Sequence, residues 1–283
     1  MRLPFASVPL AGLVVLSTWL VGCGAPTPTP GQAPETTAHA STGVLDAYRQ
    51  AAGGAALDAI TSLRATGISV DPALGGNRQL IIEVARPHLY RHRESPVEGI
   101  AGPQVRTVVG YDGTLGWRAG NTILAGDGLS TDPDVRQAAV TAAARQNYLN
   151  TLAGMLPLWL LDSGITLTPI GPVQDGEDRG ALVFTLHDAD TPMGRLLLDA
   201  DTHLPRRLIV PYHRHIRPEG GEYAVTFHDY KAVSGGALLP HRITREQPGA
   251  TADSPASSVQ WVIRTYEVNP ELDATLFAPP ARR

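Results

Sequence analysis

The order of apolar and polar positions divides the chain into a helical start, a long series of strands and one helical insertion. Val44, Leu45, Tyr48 and Leu57 recur at helical spacing, and Gly53-Gly54 interrupts them, which predicts one broken helix or two short ones. From residue 63 onward the apolar positions alternate, which predicts strands. The strands predicted in this way include Leu80–Val84, Val105–Val109, Ile165–Ile170, Ala181–His187, Gly194–Ala200, Arg206–Tyr212, Glu222–Tyr230, Ala237–Glu246 and Val259–Val268.

A second helical region is predicted after Asp132-Pro133, where Asp132 supplies an N-cap and proline suits the first helical position. Its apolar positions share one face for about six turns. They are Val135, Ala139, Ala142, Gln146, Leu149, Leu152 and Leu156. The segment 155–161 at its end is apolar on all sides, so we expect it to be buried or to cover an apolar surface.

The connections between the strands favour an antiparallel arrangement. Consecutive strands separated by short turns form a meander more readily than parallel βαβ units. Several strands are apolar on both faces: Leu182 and Phe184 lie opposite Val183, and Trp261 lies opposite Val262. This pattern predicts an α+β fold, mainly antiparallel β, in which a curved sheet wraps around helical elements.

The first 22 residues have the organisation of an export signal. Arg2 makes the start positive, and an apolar stretch follows from Leu3 to Leu20. Leu20-Val21-Gly22-Cys23 resembles the lipobox of bacterial lipoproteins. The resemblance implies cleavage before Cys23, a thioether-linked diacylglyceryl group on its sulfur and acylation of its new amino group. The alternative is an uncleaved membrane helix, which the prolines in this stretch disfavour.

The lipidated cysteine and a tether rich in proline and threonine are predicted for residues 23–42, and the folded domain for residues 43–283. Two or three acyl chains would hold the protein at a membrane almost permanently, in the cell envelope. Gly24 follows the cysteine, where proteobacterial lipoproteins carry an Asp as an inner-membrane retention signal. In such a host its absence favours the outer membrane, with the domain facing the periplasm.

Short motifs along the domain resemble the family of outer-membrane lipoprotein-sorting proteins and lipoprotein localisation factors. The resemblance implies an incomplete antiparallel β-barrel, or half-barrel, that is closed by helices and encloses a hydrophobic cavity for acyl chains. The motifs are Val44-Leu45-Asp46-Ala47-Tyr48 through Gly53-Gly54, Tyr111-Asp112-Gly113 with Trp117, Asp201-Thr202-His203-Leu204-Pro205, Phe227-His228-Asp229-Tyr230, Leu239-Pro240-His241 and Glu267-Val268-Asn269-Pro270 before Leu276-Phe277.

Composition, charge and missing motifs argue against several classes of function. The chain has 283 residues, 43% of them hydrophobic, a formal net charge of -4 and one cysteine. The acidic balance without a basic run gives no electrostatic basis for binding nucleic acid. The motifs of serine hydrolases, zinc proteases, Walker-type nucleotide sites and dinucleotide sites are missing, so we expect neither an enzyme nor a cofactor. No protein partner is identifiable from the sequence.

Metal binding has few candidate ligands. His213 and His215 would share one side of a strand, but no third ligand is near them in sequence, and His88 and His92 would do so only on a helix. We interpret them as surface or turn residues. Asp188, Asp190, Asp199 and Asp201 lie in turns, where Asp bonds nearby backbone, so calcium is not expected. His228-Asp229 cannot act as a pair on one strand, because adjacent residues face opposite ways.

These observations predict a membrane-anchored envelope lipoprotein that binds a hydrophobic ligand, either a lipid or the acyl chains of a lipoprotein. A structural lipoprotein of an envelope complex is the first alternative. A metal-dependent hydrolase centred on His213 and His215 is the second. The residues predicted to line the cavity are Leu156, Trp159, Leu160, Leu182, Phe184 and Trp261.

Overall fold

One antiparallel sheet of twelve strands forms the framework of the protein. The computed structural model describes residues 35–72, 76–97, 106–120, 131–189, 191–211, 221–247 and 257–280. The predicted signal, Cys23 and most of the predicted tether lie outside the described residues, as do Asp190, His213 and His215.

The strands form two meanders. The first contains β1 Ser62–Asp71, β2 Gly76–Ala85, β3 Leu89–Pro96, β4 Thr107–Tyr111 and β5 Gly116–Gly120. The second contains β6 Ile165–Pro172, β7 Leu182–Asp188, β8 Thr191–Leu198, β9 Pro205–Pro211, β10 Glu222–Ala232, β11 Leu238–Gln247 and β12 Ser257–Val268.

Pairing of β1 with β12 joins the two meanders into one sheet of order β5-β4-β3-β2-β1-β12-β11-β10-β9-β8-β7-β6. Every neighbouring pair is antiparallel, which confirms the predicted arrangement. Strands β5 and β6 are the two edges of the described sheet, so it is open and not a closed barrel.

The helices described beside the sheet are α1 Glu35–Ala51, α2 Ala55–Asp58, α3 Pro133–Met155, α4 Leu158–Asp162 and the short 3₁₀ helix Ala274–Phe277. The predicted break between α1 and α2 is confirmed, because Gly53 and Gly54 adopt positive φ angles of 117° and 55°. Within the described ranges, no helix has both the length and the apolar character needed to cross a bilayer.

The start of α1 differs from the predicted domain boundary. The helix begins at Glu35, whereas residues up to 42 were expected to belong to an extended tether. Eight residues of the predicted tether therefore have helical backbone. Alanine and threonine in this stretch do not prevent a helix from extending into it.

Helix α3 begins as predicted, with the Asp132 carboxylate accepting the backbone N–H of Asp134 at 2.9 Å. Its predicted apolar face is only partly correct. Val135 is 54% exposed and Ala142 is also exposed, because no element among the described residues covers these two side chains. Burial begins at Ala144 and continues to the end of the helix at Met155.

The apolar segment after α3 is divided by proline. Leu156 has φ -141° and ψ 60°, outside the helical region, in keeping with the restriction that Pro157 imposes on the preceding residue. Helix α4 then starts at Leu158. Burial was predicted for this whole segment and is found for most of it, but one side of α4 faces solvent and leaves Leu161 46% exposed.

Helix α3 lies across one face of the sheet, which we call the inner face. It contacts β4 and β5 of the first meander and also β9 and β11 of the second, so the sheet curves around it. The main apolar core lies on this face. Its fully buried members include Leu63, Leu80, Ile82, Tyr90, Tyr148, Leu152, Phe184, Leu196 and Leu239.

The other, outer face is covered over β3–β5 by the end of the described chain. The Trp117 indole Nε1 donates a hydrogen bond of 2.6 Å to the carbonyl oxygen of Phe277. Phe277 is completely buried, and the 3₁₀ helix contacts β3. Large side chains are thus buried on both faces at this end of the sheet.

Substitution of Gly67 tests the junction between the meanders. The register of β1 against β12 shifts at Thr66/Gly67, and a Cβ atom on Gly67 would lie 2.1 Å from the carbonyl oxygen of Val262. Gly67→Ala is therefore expected to lower the free energy of unfolding, measured by chemical denaturation, by about 2–3 kcal/mol.

Gly76→Ala is the matched control, because Gly76 also lies in a strand of the sheet and a Cβ atom there meets nothing within 4 Å. We expect a change within about 0.5 kcal/mol. Equal effects of the two substitutions would show that the close approach at Gly67 has no energetic importance.

Candidate binding site on the inner face

A small cavity lies between α3 and strands β10, β11 and β12. Its volume is about 30 Å³. Alternate residues of the three strands form two cross-strand rows along its floor, Phe227–Ile243–Trp261 and Val225–Arg245–Val259. The first row is apolar throughout, and the second carries one arginine between two valines.

The helix presents polar side chains to this floor. Asn147, Asn150 and Thr151 line the cavity from α3. Asn150 donates to the Tyr223 hydroxyl at 2.8 Å and accepts from the amide of Gln146 at 2.7 Å. These amide groups bond mainly to one another and to a strand tyrosine, so they bury little apolar area against the sheet.

Contact between α3 and the sheet is much closer at Gly154. A Cβ atom on Gly154 would lie 1.9 Å from Cε1 of Phe227. The backbone of α3 therefore approaches β10 more closely here than a larger residue would permit. Phe227 lines the cavity, and the helix residues that line it, Asn147, Asn150 and Thr151, lie N-terminal to Gly154.

A second small cavity, of about 10 Å³, lies where α3 faces the other strands of the second meander. It is lined by Gln146, Leu149 and Asn150 of α3 and by Ile165, Leu186, Met193 and Leu208. Asn150 borders both cavities. The middle of α3 is therefore incompletely packed where it faces β6–β9 and also where it faces β10–β12.

Arg245 is an unusual residue for this environment. Within the described ranges it forms no ion pair, and its Nε is buried without a hydrogen-bond acceptor. Its guanidinium carbon lies 4.4 Å from the ring centroid of Tyr223. Trp261 likewise has a buried indole Nε1 without an acceptor.

A compensated charge cluster borders the same region. Arg78 Nε donates to Glu94 at 2.6 Å, and His92 Nε2 lies 3.3 Å from the other oxygen of this carboxylate. Burial by itself would raise the pKa of Glu94, but His92 and Arg78 outweigh it and lower the pKa to about 2. The His92 ring contacts that of Trp261 at 5.0 Å, which connects the cluster to the cavity.

The six residues predicted to line one cavity are distributed over several places. Only Trp261 borders the cavity of about 30 Å³. Leu156 and Trp159 border a separate cavity of about 20 Å³ beside α2 and Arg86. Leu160 and Phe184 are buried in the core, and Leu182 packs against it half-buried. None of these last three lines any of the three cavities.

The predictions missed the residues that line the cavity of about 30 Å³ apart from Trp261. Their alternation within β10, β11 and β12 is visible in the sequence, but the rows depend on strand register and on the position of α3. The missed residues are Asn147, Asn150, Thr151, Val225, Phe227, Ile243, Arg245 and Val259.

Several of the candidate histidines and aspartates have local partners. His88 Nδ1 lies 3.4 Å from the Ser163 hydroxyl, Asp188 forms an ion pair with Arg145, and Asp199 accepts from the backbone N–H of Thr202 at 2.8 Å. This last bond is the main cause that lowers the pKa of Asp199. No group of three potential metal ligands occurs among the residues that the structure describes.

The described residues define a class of protein, namely a single open antiparallel sheet that curves around one long helix. No family model matches the chain, and no curated protein matches it significantly.

Three solved structures with a similar course of the chain come from different bacteria. A LolA-superfamily protein from Nitrosomonas europaea has a TM-score of 0.47 and 10% identity, with 84% of this chain and 96% of that chain covered. An outer membrane lipoprotein-sorting protein domain from Vibrio parahaemolyticus has a TM-score of 0.49 and 10% identity, with 82% of this chain and 95% of that chain covered. A DUF1329 family protein from Desulfovibrio piger has a TM-score of 0.41 and 13% identity, with 83% of this chain and 97% of that chain covered.

Glu94 should make the stability of the protein depend on pH. Folding lowers the pKa of this carboxylate from 4.5 to about 2. The ionised carboxylate therefore stabilises the fold at pH values above 4.5, and this stabilisation is lost as the pH falls from 4.5 to about 2. Glu94→Gln should lower the free energy of unfolding at pH 7 by about 2–3 kcal/mol. The difference from the original protein should shrink between pH 4.5 and 2.

Glu222→Gln is the control, because Glu222 forms an exposed ion pair with Arg195 at 2.8 Å. It should change stability by about 0.5 kcal/mol or less at either pH. Urea denaturation across this pH range measures both variants. A constant effect of Glu94→Gln from pH 7 to 2 would contradict the ionised, compensated state of Glu94.

Proposed function

We propose that the protein is a membrane-anchored lipoprotein of the cell envelope that binds a hydrophobic ligand between α3 and the inner face of the sheet. The ligand is a lipid or an acyl chain of a lipoprotein. The observation that carries the proposal is the mismatch along the middle of α3. Polar side chains of the helix cover the apolar row Phe227–Ile243–Trp261, with small cavities towards both sets of strands.

The cavities are too small for an acyl chain as they stand. A cavity of about 30 Å³ has room for about two water molecules. Binding therefore requires the middle of α3 to move away from β10–β12. This movement separates Asn147, Asn150 and Thr151 from the floor, and water can hydrogen-bond to these side chains once they are exposed.

An acyl chain can replace the helix over the exposed floor. Each methylene that it buries contributes about 0.8 kcal/mol, so a chain of ordinary length offsets the loss of a few helix contacts. The side chains of Phe227, Ile243 and Trp261 supply the apolar surface. Apolar packing between α3 and the sheet would oppose opening, and it is reduced where the helix carries amides.

Filling the cavity tests this function. Asn147→Leu places an apolar side chain over the floor, so it should hold α3 against the sheet and compete with the ligand. The chain purified with its N-terminal segment should release lipid on solvent extraction and bind a fluorescent fatty acid. Asn147→Leu should weaken fatty-acid binding about tenfold, by roughly the 1.4 kcal/mol that an added apolar contact supplies.

Ala142→Leu is the matched control, because it adds the same side chain at an exposed position of the same helix. It should leave fatty-acid binding unchanged. If the original protein neither releases lipid nor binds the fluorescent fatty acid, the proposed function is wrong. Equal weakening by both substitutions would show that binding occurs somewhere other than this cavity.

The membrane anchor is a separate part of the proposal, supported by the lipobox-like Leu20-Val21-Gly22-Cys23 and by Gly24, which favours the outer membrane. Cys23→Ser removes the sulfur to which the diacylglyceryl group would attach. The original protein should incorporate labelled palmitate and lack residues 1–22 by mass, whereas Cys23→Ser should incorporate no palmitate and keep this segment. An uncleaved membrane helix would instead leave both forms at full length and without labelled palmitate.

A further inference from the structure

We infer that the cavity between α3 and β10–β12 binds the anionic end of the ligand, a carboxylate or a phosphate carried by an acyl chain, on Arg245 and Trp261. This inference rests on the proposed function and names the class of ligand within it. It distinguishes a free anionic lipid from the amide-linked and ester-linked acyl chains of a lipoprotein, because these chains end without a charge.

Arg245 lies on the inner face with apolar neighbours on both sides. Its cross-strand partners are Val225 on β10 and Val259 on β12. A guanidinium group beside apolar side chains loses hydration, and a carboxylate or phosphate partner usually compensates for this. In the part of the chain that the structure describes, Arg245 has no such partner within ion-pair distance.

The nearby carboxylates already have other partners. Glu94 on the inner face is held by Arg78 at 2.6 Å and by His92 at 3.3 Å. Glu246 is adjacent to Arg245 in sequence but points to the opposite face, where it lies 3.9 Å from Arg207. The contrast with Glu94 indicates that Arg245 is the charge on this face for which a ligand supplies the counter-ion.

Two buried N–H groups of the cavity have no acceptor, namely Nε of Arg245 and Nε1 of Trp261. Because Ile243 pairs with Trp261 and Arg245 with Val259, Arg245 and Trp261 are diagonal neighbours across β11 and β12. Diagonal neighbours lie about 7–8 Å apart at their Cα atoms, within reach of one ligand group for side chains of this length. An unsatisfied buried donor is costly, and an anionic oxygen is its strongest acceptor.

The size and surroundings of the cavity agree with this assignment. A volume of about 30 Å³ accommodates about two water-sized groups, which is similar to the two oxygens of a carboxylate. The remaining floor residues, Val225, Phe227, Ile243 and Val259, are apolar and are placed to contact the first methylenes of the chain. A cationic or neutral headgroup would leave Arg245 uncompensated.

The experiment compares ligands that share a hydrocarbon chain but differ at its end. The chain purified with its N-terminal segment is titrated with palmitic acid, methyl palmitate and a lysophospholipid with a phosphate monoester, each by displacement of a neutral fluorescent lipid. The original protein should bind at least one anionic ligand about tenfold more tightly than the methyl ester. The stronger anionic ligand identifies carboxylate or phosphate as the source.

Two substitutions test the two donors. Arg245→Gln should reduce the preference for the anionic ligand to near one while methyl palmitate still binds. Trp261→Phe keeps an aromatic ring but removes the N–H, so it should reduce the preference about threefold to fivefold. Arg242→Gln is the control, because Arg242 lies on the outer face of the same strand and pairs with Asp229 at 3.1 Å. It should leave the preference unchanged.

The outcomes separate the two proposals. If neither the acids nor the ester bind, the proposed function fails. If the ester binds as tightly as both anionic ligands, or if Arg245→Gln and Trp261→Phe leave the preference unchanged, the headgroup assignment is overturned while hydrophobic binding stands. Retained binding of methyl palmitate shows that each variant is folded, and if Arg245→Gln does not fold, Trp261→Phe decides the assignment alone.

Discussion

The antiparallel pairing of β1 with β12 is the contact on which the rest of the structure depends. Each meander forms through local pairings, but this one joins segments at opposite ends of the domain. Asn269 secures it, because its side-chain oxygen accepts the backbone N–H of Thr61 at 2.7 Å across 208 residues of sequence. Its amide nitrogen also donates to the carbonyl of Ala59 at 2.9 Å. Without this junction, β4 and β5 would not be held on the side of α3 opposite to β9 and β11, and the inner face would not be enclosed.

Much of the local structure follows from the sequence, while the candidate site does not. The N-cap at Asp132, the break at Gly53-Gly54 and the alternation of the strands depend on neighbouring residues, so they are predictable. The exposure of Val135 is not, because periodicity shows which residues share a face and cannot show whether another element covers it. The six residues predicted to line one cavity lie in several places for a related reason. Apolar side chains occur both in a packed core and in a cavity wall, so the sequence pattern does not distinguish the two. The two rows that line the cavity between α3 and β10–β12 depend on the register of three strands and on the position of α3. Neither can be predicted from the local sequence pattern.

Two charged side chains on the inner face, Glu94 and Arg245, differ in whether an oppositely charged group compensates them. Glu94 is surrounded by Arg78 and His92, and this compensation keeps it ionised although it is buried. Arg245 lies between two valines and contacts the face of the Tyr223 ring, which offers only weak compensation. An arginine at this position loses hydration without forming an ion pair among the described residues, so it contributes less to stability than an apolar side chain would. The difference between the two residues supports the proposal that Arg245 binds an anionic ligand group.

Packing along α3 varies with position, and this variation connects the fold to the proposed function. At the C-terminal end Gly154 allows the backbone to touch Phe227. The Tyr230 hydroxyl, which donates to the carbonyl oxygen of Pro205 at 2.7 Å, also lies 3.4 Å from the carbonyl oxygen of Gly154. In the middle, residues 146–151 border cavities towards both sets of strands, and at the N-terminal end residues 133–138 are exposed. Towards this end α3 also contacts β5, where the Gln137 amide donates to the carbonyl oxygen of Gly116 at 2.8 Å. The middle of α3 is therefore its least closely packed part, and in the proposed function a ligand enters there while the Gly116 and Phe227 contacts hold the helix on either side.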